Sequence, residues 1–176
     1  MAQAIRTFMI ENQEGYWIYK GQKVPVTTEY LRERVDEAWE AAPLCPSWCY
    51  PCRKDGAKRL LGASYTEARL WSKAISRKVG LTGHHAYGVY QVYAGNWLDD
   101  NGVVWRSYNK AMGYDPPAGP ETLWNPKESA KYAAWWTQIA IDHDMDPYHF
   151  NRTTSARKLY TIMSKVNNED SFQESY

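Results

Sequence analysis

The sequence has no long apolar run, no surplus of one charge and no even set of cysteines. No stretch approaches the roughly 20 apolar residues that a membrane helix needs. With 21 basic against 20 acidic residues, no overall field favours nucleic acid or an anionic membrane surface. The first residues, Met1-Ala2-Gln3-Ala4-Ile5-Arg6, lack the apolar core of a signal peptide. The expectation is therefore synthesis in a cytoplasm, and any role at a cell wall would need delivery. The three cysteines sit together as Cys45, Cys49 and Cys52, an odd, tight cluster that argues against a disulfide framework. Their Cys-x3-Cys-x2-Cys spacing also matches an iron–sulfur loop that belongs to a barrel of strands in a much longer chain. A zinc site completed by a distant His is one alternative. Idle or buried thiols in a Pro-braced turn are the other.

One short absence bears on chemistry: residues 68–90 contain no Asp and no Glu. The Asp142–Pro147 turn opens like a calcium loop, Asp-x-Asp-x-Asp. It has Pro147 where such a loop needs Gly, and Thr153 where it needs Glu, so it is not one. No cofactor is expected.

What is abundant is aromatic surface. Nine Trp and fourteen Tyr exceed what the core of a 176-residue chain needs. Flat rings with a polar edge suit carbohydrate faces or protein interfaces, or pack an aromatic core. The helical pattern is also plain. Thr27-Thr28-Glu29 caps a helix whose stripe is Leu31, Val35, Ala38, Trp39 and Ala42, and Pro43 ends it. A second helix is expected from about Gly56 to Lys73. In it Leu60, Ala63, Ser64, Glu67, Leu70 and Trp71 recur at three- and four-residue steps. Glu67 then shares a face with apolar neighbours. Burial there would raise its pKa and keep it protonated, as a general acid requires. Asn125-Pro126-Lys127-Glu128 is a strong helix start, and Thr153-Thr154 caps a last helix through Val166. Residues 7–26 carry strand formers around Lys20-Gly21 and read as a hairpin or arm. Gly88 to Val92 reads as a short strand. Residues 94–124, rich in Gly and Pro, read as a loop-rich lobe with Trp97, Trp105, Tyr108 and Trp124 lining a groove. The fold class expected is mainly α (α+β).

Glu67, a glycine-bearing loop, then Gly88-Val89-Tyr90-Gln91 resembles the lysozyme-like superfamily. Within it the match is to lytic transglycosylases and goose-type lysozymes, whose signature is a helical Glu followed by Gly-Leu-Met-Gln. The twenty-four residues from Glu67 to Gln91 fit the longer, goose-like loop. Leu123-Trp124-Asn125-Pro126 through Ala134 is similar to the family's Pro-led, alanine-rich helix. Tyr148-His149-Phe150-Asn151 is similar to its Ala-Tyr-Asn landmark, with Phe150 in place of the family's Tyr. The resemblance covers roughly residues 29 to 166. It implies a lysozyme-like helical domain over 27–168; outside the resemblance, residues 1–26 read as an N-terminal arm or hairpin and the polar residues 169–176 as a mobile tail.

The resemblance also implies cleavage of peptidoglycan glycan strands, with Glu67 as the acid and base. Gln91, Tyr90, Gly88, Asn151 and Tyr148 would contact substrate or shape the cleft. The missing carboxylate in residues 68–90 points to transglycosylase chemistry, unless Asp99 or Asp100 supplies a hydrolase with its second carboxylate. The absent Tyr and the aromatic N-terminal arm point the other way, to a phage virion structural or adaptor protein that keeps the scaffold and docks on other virion proteins.

Overall fold

The computed structural model describes residues 1–76, 85–93, 102–115, 120–149 and 153–166. Six helices are described: α1 (Ala2–Glu11), α2 (Thr28–Ala41), α3 (Arg53–Ala68), α4 (Val103–Met112), α5 (Pro126–Asp142) and α6 (Thr154–Ser164). Two antiparallel hairpins complete the set, β1 (Tyr16–Tyr19) with β2 (Gln22–Pro25), and β3 (Ala86–Tyr87) with β4 (Val92–Tyr93). The fold is mainly α, as the stripes predict. No described helix is long and apolar enough to cross a membrane.

Helix α3 is the axis. Apolar residues face outward on nearly all its sides, and most of its length is buried between α2 and α6, the pattern of a central helix. Leu60 and Ala57 are fully enclosed. Gly56 is required at its start: a Cβ there would stand 2.6 Å from the Cys49 sulfur, so the Pro-braced cysteine loop seats directly on the helix. Helix α2 begins as expected, with the Tyr30 amide donating to the Thr27 hydroxyl at 3.2 Å and Leu31, Val35 and Ala38 turned inward. Helix α5 begins on Asn125, which accepts from the Lys127 amide at 2.9 Å. Each such cap is worth about 1 kcal/mol.

Four local expectations need correction. Phe8 and Ile10, read as strand formers, lie in α1, whose Ile5 and Met9 are completely buried against α2 and α6. Their three- and four-residue spacing prevailed over β-propensity. The hairpin itself is β1–β2, turned by Lys20 and Gly21 at φ 50° and 77°, both left-handed as a tight two-residue hairpin loop demands.

Residues 94–124, expected to be loop-rich, contain helix α4 between Gly102 and Gly113, both left-handed. The flanking glycines are helix caps. Trp105 and Tyr108 go into the core beside Tyr132 and Trp135 of α5, not to a groove.

The helix bearing Glu67 ends at Ala68, not Lys73, because Arg69 and Leu70 both take left-handed angles, φ 50° and 63°. Finally, Gly88–Gln91 is a turn, not a strand. Gly88 at φ 78° and Gln91 at φ 50° reverse the chain between β3 and β4.

Candidate functional site

The site is organised by the backward turn at the end of α3. Two consecutive non-glycine residues in left-handed conformation are costly, and the N-terminal elements hold them. The Trp17 indole donates to the Arg69 carbonyl at 3.0 Å and the Tyr30 hydroxyl to the Leu70 carbonyl at 3.1 Å. The same Tyr30 hydroxyl accepts from the Ser72 amide at 2.9 Å. Glu14 accepts from the Tyr65 hydroxyl and pairs with Arg69 at 2.8 Å. Trp17 stacks on Trp71, ring centroids 4.8 Å apart. Beneath Tyr30, Arg34 is 5% exposed and forks onto both oxygens of Glu37 at 2.6 Å, with a longer contact to Glu33 at 3.4 Å and its guanidinium 4.5 Å from the Tyr30 ring centre. Burial pushes the Glu37 carboxyl above its ordinary range, while the bonds to Arg34 pull it back.

The strip after the reversal then pairs with the β3–β4 hairpin. Ser76 donates its amide to Ala86 at 2.9 Å, and Gly88 donates to Ala74 at 2.8 Å. Gly88 is tightly hemmed: a Cβ would meet the Leu123 carbonyl oxygen at 3.3 Å. The Ser64 hydroxyl, one turn before Glu67 on α3, donates to the Val89 carbonyl at 2.9 Å. Gln91 spends its amide protons on the carbonyls of Gly88 at 3.0 Å and Ala74 at 3.2 Å, and among the described residues its own oxygen has no donor. The Ser129 hydroxyl, buried behind Gly88, has no hydrogen-bond partner among the described residues.

Glu67 departs from expectation. It lies on α3 as predicted, but it is exposed while Ala63, Ser64, Ala68 and Leu70 around it are buried. The reason is position: it occupies the final turn, and the chain doubles back beyond Ala68, so the helix end is open. The burial that would have held its proton is absent.

The carboxyl is nevertheless not isolated. Its charge acts on Tyr148, whose hydroxyl is pushed well above its ordinary range by burial first, then by Glu67 and by Tyr90. Tyr148 sits at a left-handed φ of 56°, its ring 6.4 Å from that of Tyr90. Tyr90 is 3% exposed, so it forms the floor below Tyr148 and does not itself meet the surface. Burial, and then the Glu37 charge, raise its hydroxyl as well. The arrangement is an exposed carboxyl whose charge reaches a pair of neutral tyrosines, backed by the Arg34–Glu37 ion pair. Asn151, with Phe150, Asp99 and Asp100, lies outside the described residues, as does the tail after Val166.

Tyr30 and the Arg34–Glu37 pair had only one signal in the sequence: charges on the inward stripe of α2, three residues apart. Among the described residues no group of three His, Cys, Asp or Glu side chains is placed to hold a metal. Burial pushes the Cys45 thiol up to about 11, Cys49 donates to the Ala42 carbonyl at 3.1 Å and Cys52 to Asp55 at 3.1 Å. The chain matches no family model, no curated protein and no solved structure.

Proposed function

We propose that this chain cleaves peptidoglycan glycan strands in the manner of a lytic transglycosylase, with Glu67 as the single general acid and base. The observation that carries the reading is the meeting of three segments at the open end of α3: the Glu67 carboxyl, the Tyr148–Tyr90 pair and the Gly88–Gln91 turn docked on Ser64. An exposed carboxyl suits this chemistry if the glycan itself supplies the cover. A strand laid over the helix end would strip water from Glu67 and strengthen every charge interaction there. Glu67 would then give its proton to the glycosidic oxygen as the C1–O bond breaks. Carrying the negative charge, it would next take the proton of the sugar's C6 hydroxyl as that oxygen attacks C1. Tyr148, kept neutral beside it, can donate to the carboxylate between the two steps. Gln91, through its side-chain oxygen, and Asn151 would position the sugar, Gly88 gives the close approach, and Tyr90 supports Tyr148 from below.

Mass spectrometry of digested peptidoglycan is the test. The expected products carry 1,6-anhydromuramoyl ends, lighter by one water than the reducing ends a hydrolase leaves. Reducing ends would transfer the reading to a hydrolase and make Asp99 and Asp100 the residues to vary.

A second reading has its own observation. Ile10, Tyr16 and Ile18 of the N-terminal segment are 47%, 45% and 60% exposed, an apolar group of the kind that marks a partner surface. It favours a phage virion structural or adaptor protein, docked through this segment, that keeps the scaffold with little activity. The two readings are compatible if the arm delivers the enzyme to the wall.

A further inference from the structure

A pocket opens on the Ser72–Ile75 strip. It encloses about 240 Å³ between Tyr19, Ser72, Lys73, Ile75 and Trp124. Three distant parts of the chain build it: the N-terminal hairpin, the strip beyond α3, and the short helical turn Pro120–Trp124 before α5. Trp124 is 44% exposed yet held, its ring tilted against Tyr87 at 5.1 Å. The opposite wall is Tyr19, edge-on to Trp71 at 5.9 Å. Lys20 and Lys73 bring their ammonium groups to 5.4 and 6.0 Å from the Tyr19 ring centre. Neither lysine makes an ion pair among the described residues, whereas Arg34, Lys58, Arg69, Lys127 and Lys131 all do. Among the described residues no carboxylate lines the pocket.

We propose that the pocket between Tyr19, Lys73 and Trp124 is a subsite for a sugar ring that carries a carboxylate, with the ring face on Trp124 and the carboxylate at Lys73. An exposed, fixed indole offers a flat apolar face to the C–H side of a sugar. The cation beside it discriminates between neutral and anionic sugars. The pocket is continuous with the glycan-cleaving site through one strip of backbone, since Ala74 accepts both the Gly88 amide and the Gln91 side chain. The choice of sugar rests on the peptidoglycan reading, in which muramic acid freed of its stem peptide is the carboxylate-bearing unit, since the peptide otherwise holds that carboxyl as an amide.

The test is a binding titration of the full chain, without turnover, against three probes: a peptide-free tetrasaccharide of alternating N-acetylglucosamine and N-acetylmuramic acid, chitotetraose, and the same muramoyl tetrasaccharide with its stem peptides attached. In the wild type the peptide-free muramoyl tetrasaccharide binds more tightly than either of the others. Trp124→Ala weakens the peptide-free tetrasaccharide and chitotetraose by about ten-fold. Lys73→Gln weakens the peptide-free muramoyl tetrasaccharide by about ten-fold, as loss of a hydrogen bond to a charged group does, and leaves chitotetraose unchanged. Trp124→Phe restores most of the affinity, which separates stacking from a folding defect. Unchanged binding in Trp124→Ala, equal losses for both of these glycans in Lys73→Gln, or equal binding of the peptide-bearing and peptide-free strands would overturn the proposal. The outcome is separable from cleavage. Binding with this pattern but no cleavage product leaves the subsite standing and removes the enzyme. Anhydro products with unaltered binding in both variants do the reverse.

Discussion

The two ends of α3 each present a carboxylate, and the fold treats them in opposite ways. At the N-terminal end Asp55 is 8% exposed. It accepts from the Tyr160 hydroxyl at 2.7 Å and from the Cys52 thiol, and it pairs with Lys58 at 3.1 Å. Lys58 in turn donates to Ser164 at 3.0 Å, so the network staples α3 to α6. Burial alone would raise the Asp55 pKa, but the bonds from Tyr160, Cys52 and Lys58 hold it down to about 2. At the C-terminal end Glu67 is exposed beside the half-buried Tyr148. A buried carboxylate whose oxygens are all occupied can do nothing but hold; breaking such a pair costs stability. An exposed carboxylate beside a neutral hydroxyl can exchange a proton with something that arrives.

The largest effect should come from the open end. Glu67→Gln is nearly isosteric and cannot carry the proton, so peptidoglycan cleavage should fall by about a hundred- to ten-thousand-fold, with the thermal midpoint unchanged. Equal clearance of peptidoglycan by the variant and the wild type would erase the contrast between the two ends.

Asp55→Ala should do the opposite, costing about 3–5 kcal/mol of stability by stranding Lys58 in the interior. Denaturant unfolding measures it, and a cost below about 1 kcal/mol would show that the network holds little.

The same group sets a pH window. Its folded pKa lies below the unfolded value of about 3.9, so its contribution is full above that value and is lost as pH falls toward 2. That loss amounts to about 2 kcal/mol. The wild type should lose this increment between about pH 4 and 2 and Asp55→Asn should not; parallel acid-unfolding curves would contradict the assignment.

The smallest effect belongs to Tyr160→Phe, about 1–2 kcal/mol for one hydrogen bond to a buried charge. Activity at the far end of the helix should be untouched, and a fall in cleavage rate would mean the two ends are coupled.

Much of this was legible in the chain. The capped starts at Thr27 and Asn125 and the inward stripe of Leu31, Val35 and Ala38 follow from rules that act within one or two turns, and the structure obeys them. What escaped was set by contacts distant in sequence. The left-handed Arg69 and Leu70 have no local signal, because neither is Gly or Asn; Trp17, Tyr30 and Glu14 impose them from about forty or more residues away. That displaced end also explains why Glu67 is exposed despite its apolar company. Helix α4 was hidden for a different reason: Gly102 and Gly113 read equally as loop residues or as caps, and only the packing of Trp105 and Tyr108 on α5 decides between them.

The reversal at Arg69–Leu70 works as a splinted joint. Its two residues would relax to ordinary angles if nothing restrained them, and the restraints come from Glu14, Trp17 and Tyr30. The β1–β2 hairpin is therefore a splint on the far side of the joint from Glu67, not a handle attached to the domain. Whatever the hairpin binds with its exposed Ile18 and Tyr16 pulls on the same joint. A partner seated there would be mechanically in series with the carboxyl at the helix end.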